Sequence, residues 1–409
     1  MLTHWIWLAT RTSGNEMKKI ALLSAFGDPE DIYFADATAL SRVEGMTEEF
    51  LAALADKDLT GAEKILAQCM EKDIRICAYN DAGYPKRLKN IPDPPVVLYY
   101  KGNLPDFDAN PVIAVVGTRK ASAYGLTVAR RMGYQITRCG AILVSGVASG
   151  IDGMSMMGGL TGGGFVVGVL GCGADIIYPA RNGSLYADTE RNGCLLTEFP
   201  PGTRPLRWNF PKRNRIISGL SCGVVVVEAP EGSGSLITAR DAADQGRDVF
   251  VVPGNIDVPT FVGSNALLRE GAIAVSTGWD VVSEYQALFP DKIRKGPVQK
   301  MPENAEETYQ NVAQSIEYPA KKKDSPNKKK KITIDNERPA PYSDGVRPAV
   351  ALRPEEEKLL GQLSAGERLV DDVIAESGMP AGKVLATLTL LEVKGMIRRL
   401  PGKRVAINQ

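Results

Sequence analysis

The sequence predicts an α/β protein built on a doubly wound, mostly parallel sheet, with a small helical bundle before it and a winged helix after it. Three observations carry that prediction. Short apolar runs, "PVIAVVG", "AILVSG", "FVVGVLG", "CLLTEF", "GVVVVEA", "DVFVVPG" and "AIAVST", follow one another from about residue 110, with helical patterns between most of them. Continuous apolar strands alternating with helices mean parallel strands covered on both faces. Both ends of the chain switch to helical spacing. The length of 409 residues also exceeds what one hydrophobic core normally absorbs, so two or three domains are expected.

Residues 1–100 read as a helical domain with a connector. "MKKIALLSAFGDPEDIYFADATALSRV" and "EFLAALADKDLTGAEKILAQCMEKD" space Leu, Ile and Ala helically, with breaks at Gly27, Pro29 and Gly45. The pattern resembles a small helix–hairpin–helix or SAM-like bundle, a module that docks proteins as often as it clamps DNA. "DAGYPKRLKNIPDPPVVLYYKG" follows as a Pro-rich connector ending in a short strand. Residues 101–290 form the Rossmann-like domain. Residues 291–350, with "KKKDSPNKKKK" and almost no apolar periodicity, read as a flexible, solvated tether. Residues 351–409 carry three helical patterns, a "GMP" turn and the hairpin "MIRRLPGKRVAIN", the order of a winged helix-turn-helix. Its third helix offers Lys383 as its one clear base before Lys394, a poor recognition helix for DNA.

Composition excludes several chemistries. Net charge is +1, so any basic surface must be local. The one histidine, His4, rules out Ser–His–Asp and Cys–His catalysis and argues against a zinc site. No GxxxxGK[ST] motif occurs, so no P-loop is present, and no metal or cofactor is expected. Six cysteines without a CxxC pair read as buried free thiols of a reducing cytoplasm. No apolar run approaches transmembrane length, and the N-terminus lacks the basic region of a signal peptide.

In a doubly wound sheet, ligands bind at the carboxyl ends of strands, where helix N-termini present free N–H groups. The loops expected there are rich in glycine and hydroxyls: Gly117, Thr118 and Arg119 after the first strand, Ser145, Gly146, Ser149 and Gly150 after the second, Tyr178, Arg181 and Asn182 after the third, Ser233 to Thr238 after "VVVVEA". Arg119 adds a fork that matches phosphate oxygens. G-x-G-x-x-G is absent after the first strand, which disfavours a dinucleotide. Several such loops on one edge point to an extended anion. The segment "FPKRNRIISGL" adds Lys212, Arg213, Asn214 and Arg215 in the first turn of a helix that Pro211 helps to start. Cations there oppose the helix dipole, so they are expected to wait for phosphate. A salt bridge to Glu198 or Asp241 is the alternative.

"GTRKASAYG", "SGVASGID", "GCGADIIYPARN", "FPKRNRIISGLS", "VVVVEAPEGSGSLITARDAADQGRDVFVVPG" and "GSNALLREGA" together resemble the DNA-processing protein A (DprA/Smf) family over roughly residues 80–290. The resemblance implies a cytoplasmic single-stranded DNA-binding protein of natural transformation. It implies one that protects incoming strands, loads RecA and dimerises through the Rossmann-like domain. It places the family's phosphate contact on Arg119, its "SG" loop on Ser145 and Gly146, and its basic segment on Arg213, Asn214 and Arg215. Ala180 stands where the family often has lysine, with Arg181 beside it. Met156 stands where it often has histidine. Bases would stack on Tyr124 or Phe210. The rival reading is an enzyme of the lysine-decarboxylase-like phosphoribohydrolase type, with Glu228 or Asp152 as acid/base, although "PGGxGTxxE" is missing. A third is a pure scaffold whose tail docks partners.

Overall fold

The apolar runs join one nine-stranded sheet. In chain order its strands are β1 Arg75–Ala78, β2 Val97–Gly102, β3 Val112–Val116, β4 Ile142–Ser145, β5 Val166–Val169, β6 Gly193–Thr197, β7 Gly223–Val226, β8 Asp248–Val251 and β9 Ile273–Ala274. The spatial order is β1-β2-β6-β5-β4-β3-β7-β8-β9. Every pairing from β6 to β9 is parallel. The β1–β2 and β2–β6 pairings are antiparallel. The expected mostly parallel, doubly wound sheet is therefore present. The connector ends in one strand as expected, β2, and a further strand, β1, stands just before it. β1, with "RICA", is too short and too mixed to show a period of two.

This computed structural model describes residues 1–11, 14–295, 354–364, 366–393, 396–400 and 404–408. The chain divides into two units, Met1–Ala320 and Lys321–Gln409. The Lys-rich tether expected over 291–350 lies, from residue 296 on, outside the described residues.

In the first unit, successive side chains of a strand enter opposite cores. Ile113 and Val115 of β3 belong to one buried cluster, and Val112, Ala114 and Val116 to the other. Six helices precede the sheet: α1 Leu2–Thr10, α2 Glu16–Phe26, α3 Pro29–Phe34, α4 Ala37–Ser41, α5 Glu48–Ala55 and α6 Thr60–Glu71. Their Trp7, Leu22, Phe50 and Leu54 share the cluster of Ile113 and Val115, so the bundle packs on the sheet instead of folding around a core of its own. The short α7, Lys86–Lys89, leads to β2. The crossovers are α8 Ala123–Arg138, α9 Ile151–Thr161, α10 Gly183–Asn192, α11 Asn209–Leu220, α12 Gly234–Asp244 and α13 Val262–Arg269, and α14 Gly278–Val282 follows β9.

The glycines of "GIDGMSMMGGL" are explained by packing. A Cβ on Gly158 of α9 would collide with the Arg130 carbonyl of α8, so these helices cross at backbone contact. Met156 is fully buried in the same region, part of the hydrophobic core and not of a ligand site.

The second unit contains helices Pro354–Leu363, Val370–Ser377 and Ala381–Val393 around Leu359, Val373, Leu388 and Val405. The expected hairpin, Ile397–Leu400 with Arg404–Ile407, forms. A two-residue strand, Arg368–Leu369, adds a third member that no pattern of that length could reveal. Lys383, the one clear base of the third helix, lies 2.5 Å from Glu355.

Candidate nucleic-acid interface

The chain leaves β3 for β4, β5 and β6 on one side, then returns to place β7, β8 and β9 on the other. The switch point is thus the crevice at the carboxyl ends of β3 and β7, where open α/β sheets bind ligands. A cleft of about 650 Å³ lies there. The loop after β3 contributes Gly117, Thr118, Arg119 and Lys120, and the loop after β7 contributes Gly232, Ser233, Gly234 and Ser235. Arg207, Phe210, Arg213 and Asn214 come from α11 and the turn before it, and Tyr178 from the loop after β5.

Local chemistry fixes these loops. The Thr118 N–H donates to the Glu228 carbonyl at 2.7 Å, tying the β3 loop to the β7 loop. Ser122 caps α8, its Oγ accepting from the Gly125 N–H at 3.0 Å. Ser233 caps α12, accepting from the Ser235 N–H at 3.4 Å. The N-terminus of α12 therefore lies at the cleft with its dipole favouring an anion, whereas that of α8 is already met by the Glu228 carboxylate, which accepts from the Ser122 N–H. Gly150 has φ +79°, and a Cβ there would strike the Thr118 carbonyl, so this position needs glycine.

Arg119 and Lys120 are exposed. The Arg119 guanidinium lies over the Phe210 ring at 4.8 Å, and Tyr178 meets the same ring at 5.5 Å. Among the described residues, no carboxylate forms an ion pair with Arg119, Lys120 or Arg207. Neither Lys120 nor Arg207 was singled out from sequence. Arg207 precedes exposed Trp208 in "RPLRWNF", a basic–aromatic pair just before a helix, which is the signal that marks it.

The other expected residues divide. Gly117, Thr118, Arg119, Arg213 and Asn214 line the cleft. Arg213 is only 3 % exposed, and its Nη1 donates to the carbonyls of Gly146, at 2.8 Å, and Val169. Burial pulls its pKa down while Asp152 opposes that shift. Ser145 is fully buried with its hydroxyl given to the Val115 carbonyl at 2.7 Å. Gly146 thus supports Arg213 from beneath the cleft, and Ser145 ties the end of β4 to β3. Arg181 is exposed, and its Nε donates to Ser149 Oγ at 3.1 Å, outside the cleft lining. Tyr124 is exposed against Phe261 and also outside that lining, so of the two rings expected to stack on bases Phe210 lines the cleft, with Tyr178 beside it.

Lys212 and Arg215 correct the expectation of cations held ready for phosphate. Lys212 Nζ donates to Glu16 at 2.8 Å and lies 3.5 Å from Glu198. Arg215 donates to Asp93 and to Glu198, each at 2.8 Å. The ion-pair alternative therefore describes them, with Glu198 as partner. Asp241 is not that partner. Burial, then the charges of Asp93 and Asp244, push its pKa up to about 6. A carboxyl with a folded pKa near 6 and an ordinary value of 3.8 stabilises the fold only at low pH, and that stability is lost as pH rises through 6. Asp241→Asn is expected to raise stability at neutral pH by roughly 1 kcal/mol, discounted for partial exposure, and to flatten the profile between about pH 4 and 6. Urea unfolding across that range checks it.

Two carboxylates considered as acid/base are otherwise engaged. Glu228 is fully buried and accepts from the Ser122 N–H at 3.1 Å and its Oγ at 2.8 Å. Burial raises the pKa of Asp152, and Arg213 and Arg119 pull it back. Among the described residues no His, Cys, Asp and Glu cluster is arranged to hold a metal ion, and no helix is long and apolar enough to cross a membrane. The six cysteines are unpaired, five of them buried.

Comparison with known proteins gives a consistent result. Residues 75–286 match the family described as DNA recombination-mediator protein A, and residues 343–403 match the DprA winged helix domain. The DNA processing protein DprA of Bacillus subtilis is 43 % identical over 221 residues, 54 % of this chain and 74 % of that protein. Protein Smf of Synechocystis is 31 % identical over 413 residues, covering 98 % of this chain and 97 % of that one. The X-ray structure of DprA from Streptococcus pneumoniae superposes with a TM-score of 0.62 at 32 % identity, over 69 % of this chain and 98 % of that one.

Proposed function

Because this chain belongs to the DprA/Smf family of DNA-processing proteins, we propose that its cleft binds single-stranded DNA without catalysis. The observation that carries this reading is the set of Arg119, Lys120 and Arg207, three cations at the switch-point crevice with no carboxylate paired to them. In a chain of net charge +1, buried carboxylates neutralise Lys212 and Arg215 while these three are left for an external anion. The α12 N-terminus and the glycine loops suit phosphate oxygens. The Phe210 and Tyr178 rings beside Arg119 suit an unstacked base, which single strands offer and duplexes do not.

Within that reading, Gly117, Thr118 and Arg119 contact phosphate directly. Arg213 and Asn214 shape the floor, Gly146 holds Arg213 while Ser145 fixes the end of β4, and Arg181 sits at the periphery. The biological setting is the one the family implies: a cytoplasmic protein, dimeric through its sheet domain, that shields incoming strands and passes them to RecA. Binding of labelled oligo(dT) against duplex of equal length, across a salt series, tests the reading. Single strands should bind preferentially, with affinity falling linearly in log salt. Equal affinity for both, or none for single strands, would refute it.

The winged unit is not the main DNA site in this reading, since Lys383 is engaged by Glu355. A chain ending after Lys295 is expected to keep most single-strand affinity. The cut must spare Ile293, which is buried, and Arg294, whose N–H donates to the Cys139 carbonyl at 3.2 Å. A folded truncation that binds no oligo(dT) would move the site to the tail.

A further inference from the structure

The two faces of α11 have different surroundings. Phe210, Arg213 and Asn214 line the cleft, whereas Lys212 and Arg215 meet carboxylates of other elements. Lys212 Nζ reaches Glu16, the first residue of α2, at 2.8 Å. Lys19, on the next turn of α2, lies 3.9 Å from Glu16 and donates to the Ala9 carbonyl of α1 at 2.8 Å. Glu198, which directly follows β6, lies 3.5 Å from Lys212 and accepts from Arg215 at 2.8 Å. One ion cluster thus joins α1, α2, the end of β6 and α11.

Its formal charges cancel, Lys19, Lys212 and Arg215 against Glu16, Glu198 and Asp93. Glu16 cannot be spared from that balance. Burial pulls Lys19 down to about 8, and the Glu16 charge is what opposes the shift most strongly. Without Glu16, Lys212 and Lys19 would both depend on Glu198, which Arg215 already occupies. A cavity of about 200 Å³ also opens here, lined among others by Glu16, Lys19, Tyr99, Glu198 and Lys212.

We propose that this cluster is a positioning element for DNA binding: Glu16, which lines no part of the cleft, sets the seating of α11 and through it the affinity of the cleft. The inference rests on the DNA-binding reading above. Its mechanical basis is short range. Lys212 adjoins Arg213 in sequence and stands two residues from Phe210, while Asn209 ties the start of α11 to the Gly171 carbonyl at 3.1 Å. A shift of Lys212 therefore moves the Phe210 ring and the Arg213 guanidinium. By reciprocity, DNA that fixes α11 also tightens the docking of α2.

Glu16→Gln in the full chain tests this, with labelled oligo(dT) across a salt series and hydrogen exchange of α2 and α11. Affinity should fall roughly five- to tenfold, at the low end of known coupling effects. The salt slope should stay unchanged, because no phosphate contact is removed, and α11 should exchange faster. DNA should slow α2 exchange in the native protein. If Glu16 instead only masks Lys212 as a phosphate ligand, Glu16→Gln will raise affinity and Lys212→Met will lower the slope by roughly 0.7, and either result overturns the proposal. Unchanged affinity with native exchange overturns it as well. Should the native protein bind no oligo(dT), the reading of the cleft fails by itself. Exchange then decides alone: faster exchange of α11 in Glu16→Gln supports the positioning role, and unchanged exchange overturns it.

Discussion

Arg119→Ala is expected to weaken single-stranded DNA binding by roughly 10- to 150-fold, the loss of about 1.5–3 kcal/mol for a charge-assisted hydrogen bond. The residue stands at the switch point, exposed, beside a capped helix N-terminus and over the Phe210 ring. The ring limits where the guanidinium can go, so less freedom is lost when phosphate arrives. The log–log salt slope should fall by roughly 0.7, one single-strand phosphate contact. Melting temperature should move little, since Arg119 is exposed and forms no ion pair, and its share in countering the burial of Asp152 comes second to that of Arg213. Arg119→Lys should recover only part of the affinity, because an ammonium keeps the charge but not the fork. Fluorescence anisotropy alongside thermal melting reads all of these. A folded Arg119→Ala variant with native affinity and slope would remove Arg119 from the interface.

Arg215→Ala is expected to act in the opposite way, through the fold. Arg215 is 6 % exposed, and it faces Glu198, which is also buried. Burial alone would raise the Glu198 pKa, and Arg215 and then Lys212 are the charges that counter it. Removing one partner of a buried pair typically costs about 3–5 kcal/mol, because the other charge is left uncompensated. At roughly 2–4 °C per kcal/mol for a domain of this size class, the melting temperature should drop by roughly 10 °C. DNA affinity, measured well below the new transition, should change less than in Arg119→Ala. The double variant Arg215→Met with Glu198→Leu should be markedly more stable than Arg215→Ala, since the one carboxylate left without Arg215 is the exposed Asp93 and no buried charge stands alone. Calorimetry and oligo(dT) binding together separate these outcomes. A variant that melts normally yet fails to bind would return Arg215 to the DNA surface.

The contrast between Arg119 and Arg215 marks where sequence reading succeeded and where it stopped. Arg119 was legible because its position follows from one local rule. An apolar strand ends at Val116, a glycine follows, and the next residues occupy the ligand edge of a parallel sheet. Lys212 and Arg215 were not legible in the same way. Their partners are Glu16, Asp93 and Glu198, and Glu16 is 196 residues away in the chain from Lys212. The helix-dipole argument asked for an anion beside cations in a first turn, but α11 begins at Asn209, so Arg213 and Arg215 stand beyond the turn in which the dipole acts. It could not tell a phosphate from a carboxylate of the same chain, because both satisfy the same charge. Arg207 was missed for a related reason, lying in a loop with no period to place it.

The sequence by itself determined the doubly wound sheet, the edge that carries the ligand loops, the winged tail and the family, because strands buried on both faces write themselves as continuous apolar runs and turn residues sit at fixed offsets from them. Only the tertiary structure decided which cations remain free. It packed α1 to α6 onto the sheet, which brought Glu16 to Lys212 and buried Arg215 against Glu198, and it left Arg119, Lys120 and Arg207 facing the cleft. The physical reason is that a charge finds its partner through space, and the distance that sets its energy is absent from the order of residues along the chain.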